Sequence, residues 1–356
     1  MYLLGRVTGM ALTNKEGWLY FLGEVDFKSG ERHQYVKIGK TDYDRPVSDR
    51  SNDHQTGNPR LIVEFADSIR TNFIDDLETY MHHRFSTKRV HGEWFLLDEN
   101  DLADAVSEAN RVNDLLNEVL SEAKEVKLLY QSESNGSTIE PDSKTESFYE
   151  SFVTHEKTRV MHKLQQDLVA MEMRKLTSST TGLDGVTTQS IVTRNPKFDK
   201  KSFEAAHQDI CEKYQKTESK MSKTFAITGK PSAAKTYKEL SQDLKNAKEE
   251  LGEINTVSDA LVERDSSIES LHQQWLELHE KEAEEGLMAE LYSLKIQHAC
   301  ADNSEIEGVC KWKREIQEKS SLDTAALKEN EPELYEKYMI PQPDNIRFSV
   351  TKYRSY

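Results

Sequence analysis

Three cysteines in 356 residues, with no CxxC pair among them, exclude a disulfide-built scaffold and provide no zinc-ligand spacing. Cys211, Cys300 and Cys310 are therefore expected as reduced thiols of a cytoplasmic protein. No long apolar run occurs, so no helical membrane span is expected. Met1-Tyr2-Leu3-Leu4 reaches Arg6 without a basic start or an extended apolar core, which argues against a signal peptide. Positive charge is also short: 47 Lys and Arg face 63 Asp and Glu, a net charge of −16. That excludes tight, unassisted DNA binding by global charge alone, although phosphate contacts draw on local clusters. Residues 1–100 carry −3 and the other 256 carry −13, which points to a protein partner for the C-terminal part. With 36% hydrophobic and 31% charged residues, the chain is too polar for one compact core. A small domain joined to exposed helices, two or three domains in all, fits better.

What is present concentrates between Trp18 and Phe95. Gly17 to Gly23 is rich in aromatics and bounded by glycine, which reads as a strand. Asp26 to Arg32 reads as a turn and His33 to Gly39 as the second strand of a hairpin. Alternation then puts Tyr35, Lys37 and Gly39 on one face, with Tyr20 across from them. Asp44-Arg45-Pro46 predicts a helix from about Pro46 to Gln55, with Asp44 as N-cap and a stop at Gly57-Asn58-Pro59. Arg50 and His54, four apart, share a face of it. Leu61 to Ala66 is a third strand. Asn72 to Phe85 is a second helix, with Phe73, Leu77, Tyr80 and Met81 on its apolar side and Glu78 and His82 on another. Gly92 to Leu97 closes the domain as a short strand.

In their order and spacing, Trp18-Leu-Tyr20, Lys37-Ile-Gly-Lys-Thr41, Arg50 with His54, Gln55-Thr-Gly-Asn-Pro59, Glu78 and Gly92-Glu-Trp-Phe95 resemble the GIY-YIG nuclease superfamily. The similarity is to its phage-associated branch and covers roughly the first hundred residues. Carried over position by position, the resemblance implies Tyr20 as general base, with Lys37 in the second-motif tyrosine's place lowering its pKa. Arg50 would grip the phosphate, and His54 would bind phosphate or relay a proton. Glu78 would hold one Mg²⁺ or Mn²⁺. Gly39 would let the backbone pass close to the substrate. Lys40, Thr41, Arg45, Asn58 and His82 would contact DNA. One departure is Trp18, which stands where the first-motif glycine belongs, with Gly17 one place earlier.

Beyond residue 100 the reading is separate. Residues 101–131 form a connecting helix, with Leu102, Val106, Val112 and Leu116 at helical spacing. Residues 132–148, without periodicity, read as a flexible linker. The remainder repeats: His155-Glu-Lys and His279-Glu-Lys are 124 apart, and both lead to Gly-Val at 185 and 308. Unit 1 spans 149–230 and unit 2 spans 276–356, each a long helix, a hairpin or strand, a second helix and a closing strand. Between them, residues 231–275 read as part of a near-continuous charged helix with a broken heptad-like stripe at Leu240, Leu244, Leu251, Ile254, Leu261, Ile268 and Leu271. Lys311-Trp-Lys-Arg314 reads as a strand tip, or as a basic patch whose aromatic would stack on a base. Part of unit 2 weakly resembles an accessory segment of YqaJ-type phage exonucleases.

The expected fold is α+β: a small α/β domain around a central antiparallel sheet, then a mostly helical region. The implied function is a metal-dependent DNA endonuclease of phage or mobile-element type, acting in the host cytoplasm. Its repeats would serve targeting, dimerisation or partner binding. The alternative is a catalytically silent DNA- or nucleoprotein-binding adaptor, and a third reading is a purely structural coiled coil.

Overall fold

The computed structural model describes residues 12–252 and 254–354; Met1–Leu4, read above as no signal peptide, lies outside them. From the amino end come β1 (Gly17–Val25), β2 (Arg32–Asp42), α1 (Val47–Gln55), β3 (Leu61–Thr71), α2 (Ile74–Arg84), β4 (Arg89–His91) and β5 (Trp94–Leu96). The five strands form one antiparallel sheet in the order β3-β1-β2-β5-β4. Alternation gives it two faces. Leu19, Phe21, Val36 and Ile38 point into the main core with Leu77 and Met81 of α2. Tyr20 and Leu22 point the other way and pack with Val47 of α1 and Ile62. The domain is mixed α+β, as expected. In detail, Pro46, extended at φ −60° and ψ 146°, occupies the N-cap position of α1 with no side-chain cap, so Asp44 is not the cap.

The connecting segment is two helices, α3 (Glu99–Glu118) and α4 (Leu120–Leu129), broken at Val119. α3 opens with a capping box between Asp98 and Asp101. The order continues β6 (Thr138–Ile139), α5 (Ser143–Thr177), β7 (Thr187–Val192), β8 (Lys197–Phe198), α6 (Lys200–Ala206), α7 (Gln208–Lys213), β9 (Gln215–Ile227), α8 (Ala233–Thr236) and α9 (Lys238–Leu251). Then come α10 (Ser266–Cys300), β10 (Glu305–Ile306), β11 (Cys310–Leu322), α11 (Thr324–Asn330), α12 (Pro332–Lys337), β12 (Met339–Ile340) and β13 (Asn345–Val350).

The internal repeat has a structural counterpart with a sharper register. α5 and α10 are both 35 residues long. Asp142 and Asp265 cap their starts, and both end in a non-glycine residue at positive φ, Ser178 at 49° and Ala301 at 46°. Each of these pairs is 123 apart. The His-Glu-Lys triplets lie in mid-helix, one residue out of that register, and open nothing. The helices run antiparallel: Phe148 meets Tyr292, His155 bonds Glu285 at 2.7 Å and Arg159 bonds Glu282 at 2.9 Å.

The two repeats do not fold side by side as units 149–230 and 276–356; they exchange strands. β9, the closing strand of the first, pairs along its whole length with β11, the opening strand of the second. β13 and β12 return the exchange by pairing with β7 and β8. Neither unit completes its own sheet. Residues 132–148 are likewise no free linker, since β6 pairs with β10 and Asp142 starts α5. The long helix expected through 231–275 is interrupted: Gly252 at φ +66° ends α9, and α10 begins only at Ser266. Ile254 and Leu261 fall in the gap, so the heptad-like stripe is not a coiled coil. Trp312 and Arg314 are wholly buried, and the guanidinium carbon sits 3.9 Å from the centre of the indole ring. Strand alternation turns these two inward and leaves only Lys311 and Lys313 outside.

The N-terminal domain sits on α10. Ser86 Oγ donates to the Leu276 carbonyl at 3.3 Å, and Thr87 donates twice to Glu280 Oε1, at 2.8 and 2.6 Å. The rings of His83 and His279 lie 4.5 Å apart in this interface. Burial drives both imidazoles down, His83 to about 3 and His279 to about 2. Both stay neutral in the fold but take up protons near pH 6.5 once unfolded. The unfolded state therefore binds more protons between about pH 6.5 and 3, and stability falls as pH drops through that window. About 4 kcal/mol for the pair should be gone by pH 5. Urea midpoints at pH 7 and pH 5 check this; an unchanged midpoint would refute it. In the core, Trp312→Ala should lower stability by about 3–5 kcal/mol, whereas an exposed stacking residue would lose less than about 1 kcal/mol in the same urea titration.

Candidate active site

Tyr20 lies opposite Gly39 in the β1–β2 register. A Cβ on residue 39 would stand 2.6 Å from Tyr20 Oη and 2.7 Å from Cζ, so the phenol ring lies directly across the bare glycine. Gly39 thus makes room for Tyr20, in place of the substrate approach expected above. Gly17 has a related role, because a Cβ there would come within 2.6 Å of the Thr41 carbonyl. It supplies the close packing next to Trp18.

α1 covers this face and brings Arg50 and His54 to it. Burial raises the Tyr20 pKa, and the neighbouring Arg50 guanidinium opposes the rise. The phenolic oxygen in turn raises Arg50. Their geometry nevertheless falls short of a hydrogen bond. Tyr20 Oη, Arg50 Nε and His54 Nε2 are all buried with no hydrogen-bond partner among the described residues. Asp53 accepts from Arg50 at 3.2 Å and from Arg45 at 2.6 Å and steadies the guanidinium end. Burial, then the charges of Lys37 and Arg50, push the His54 imidazole down, so it is neutral at pH 7.

Lys37 is buried but does not act on Tyr20 as expected: its ammonium is paired with Glu93. Burial pushes the Glu93 carboxyl up, but the bond and charge of Lys37 outweigh it and the net direction is down. The sequence reading missed Glu93 as a site member, although the acid inside Gly92-Glu-Trp-Phe95 was the available signal. Its field reaches Tyr20, His54 and Glu78. Glu78, on α2, is 8% exposed. Burial raises its carboxyl, and Lys40 opposes this through an ion pair at 2.8 Å. One buried carboxylate fits a Mg²⁺ or Mn²⁺ that takes its other ligands from water and phosphate. Among the described residues no three His, Cys, Asp or Glu converge into a fuller cage.

Four of the five residues assigned to DNA contact face the protein. Lys40 bonds Asp75 as well as Glu78. Thr41 is 5% exposed, its hydroxyl on the Arg45 carbonyl. Asn58 donates to Glu24 at 2.8 Å and accepts from the Arg60 amide, inside a turn that Gln55 also braces. His82 holds the Ile38 carbonyl at 2.7 Å and is pushed down to about 4 by burial. Arg45 is half-buried, its side chain 43% exposed and paired with Asp53 at 2.6 Å.

Residues 17–110 match the T5orf172 domain. This is a phage-associated family of nuclease-like domains similar to GIY-YIG nucleases. The T5orf172 match takes in the whole sheet, α1, α2 and the first half of α3, and with them every site residue above. It covers 94 of 356 residues and stops before the repeats. Neither the curated proteins nor the solved structures give a match to the chain.

The Tyr20–Gly39 contact predicts a specific coupling. Gly39→Ala should lose about 1–3 kcal/mol by overpacking. Combining it with Tyr20→Ala should recover much of that loss, since the two changes meet at one point. Strictly additive urea midpoints would mean the ring does not occupy that space.

Proposed function

We propose that the T5orf172-like domain hydrolyses phosphodiester bonds in DNA. The observation that carries this reading is that Tyr20, Arg50 and His54 each have a buried polar atom unpaired among the described residues and stand close enough for Arg50 to act on both of the others. A buried donor or acceptor left unpaired costs about 1–3 kcal/mol, and such groups are uncommon. A phosphate with its attacking water would satisfy all three. Arg50, held fully charged, donates to a non-bridging oxygen. Tyr20 as phenolate takes the proton of the attacking water. Burial keeps the phenol protonated through neutrality, so the active form grows with rising pH. Neutral His54 has a free acceptor for a water hydrogen. Glu78 would hold Mg²⁺ or Mn²⁺, once Lys40 yields its oxygen; such an ion, when bound, offsets charge on the phosphate and leaving oxygen. Lys37 and Glu93 balance each other and set the field of the pocket.

The second reading, an adaptor that grips DNA without cleaving it, is favoured by one observation. Both acids near the pocket, Glu78 and Glu93, already have lysine partners.

Supercoiled plasmid with Mg²⁺ separates the two. Wild type should nick or cut it, and Tyr20→Phe, Arg50→Ala and Glu78→Gln should each lose about 100-fold or more. Cleavage of equal rate by all four would remove the site, and no cleavage by wild type would leave the adaptor. The wild-type rate should also climb from pH 7 to pH 9, following the raised Tyr20 pKa. A maximum below pH 7 would exclude Tyr20 as the base.

A further inference from the structure

The strand exchange builds a frame. α5 and α10, 35 residues each, extend about 50 Å. One end of the pair lies in the main core with Phe152, Cys300, Trp312 and Ile227. The other end lies in a second core with Met173, Ile268, Val186 and Leu183. The β9–β11 ribbon springs from the first end, and the ribbon of β7–β8 with β12–β13 springs from the second. Both run to a single head, where α6, α7, α11 and α12 enclose Phe203, Leu322 and Leu327. A 13-residue strand extends about 43 Å. Between its base and the head, the β9–β11 ribbon is covered on neither face: Gln215 to Lys220 and Glu318 to Ser321 are all exposed.

Charge is sorted onto these ribbons. Residues 187–198, 215–227, 310–322 and 339–350 hold ten Lys and Arg against four Asp and Glu, +6 in a chain of −16. On β9–β11 the register gathers Lys216, Lys220, Lys311, Lys313 and Lys319 on one face, against Glu218 and Glu315. That face looks away from the core, because Trp312 and Arg314 take the opposite one. Lys220 and Lys319 have no ion-pair partner among the described residues.

We propose that the lysine face of the β9–β11 ribbon lies in the major groove of duplex DNA. The major groove admits a two-stranded β-ribbon, and about 43 Å of strand lies against roughly a dozen base pairs at 3.4 Å each. The lysines meet phosphates, and Gln317 with the exposed Ser321 and Thr224, on the same face, are polar partners for what lies between. The proposal builds on DNA as the substrate of the N-terminal domain but rests on separate residues.

Full-length protein in EDTA, with a fluorescent 30-base-pair duplex read by anisotropy across a salt series, tests it. The variant Lys216→Gln, Lys220→Gln, Lys313→Gln, Lys319→Gln should bind on the order of tenfold or more weakly, with a log–log salt slope smaller by about 3–4. Arg replacements at the same four positions should restore both, which separates charge from folding. Arg50→Ala, which removes a single phosphate contact, should lower the slope by no more than about 1. Unchanged affinity and slope in the Gln variant would overturn the ribbon proposal and leave the nuclease reading standing. Equal binding of an RNA duplex, whose major groove is too narrow for a ribbon, would also overturn it.

Discussion

The antiparallel contact between α5 and α10 is the constraint on which the rest of the molecule depends. It is a packed interface crossed by the Arg159–Glu282 ion pair and the His155–Glu285 bond, with Arg159 held in place by the almost fully buried Glu156 of its own helix. Because the helices are equal in length and opposed, their ends present two similar platforms about 50 Å apart. Each platform starts one ribbon. The outer face of α10 receives the N-terminal domain through Leu276, His279 and Glu280. Loosening this pair would disturb the domain interface and both ribbons together.

The exchange of strands makes the repeats interdependent. A single unit would leave its opening and closing strands as bare edges, which favour pairing with another chain. Here the other repeat covers them, so the chain satisfies internally what two copies would otherwise satisfy between them. The result also explains an acidic protein with a basic region: acids collect on α3 and α10, and lysines collect on the ribbons. The candidate active site follows a similar economy. The carboxylates are held by lysines, while the tyrosine, arginine and histidine each keep a buried atom unpaired among the described residues.

Much of the first hundred residues was legible in the sequence. Period-2 alternation in Trp18–Gly23 and Tyr35–Gly39, a proline at the helix start and Gly-Asn-Pro at its end are local signals, and they placed the hairpin and α1 to within a few residues. Arg50 and His54 shared a face because four residues make about one helical turn. Side-chain pairings were not legible. Nothing local says that Lys37 meets Glu93 or that Lys40 turns back to Glu78, because each pair joins distant elements. The internal partners of Asn58 and His82, expected as DNA contacts, were hidden for the same reason.

By itself the sequence determined the α+β class, the residues that share a face of the first domain, and the existence of a repeat. All three are periodicities that a chain carries along its own length. Only the tertiary structure decided which repeat strand pairs with which, that residues 132–148 anchor a helix, and that Trp312 is core. Those outcomes depend on contacts between residues dozens to nearly two hundred positions apart, whose free energy appears only when both partners are in place.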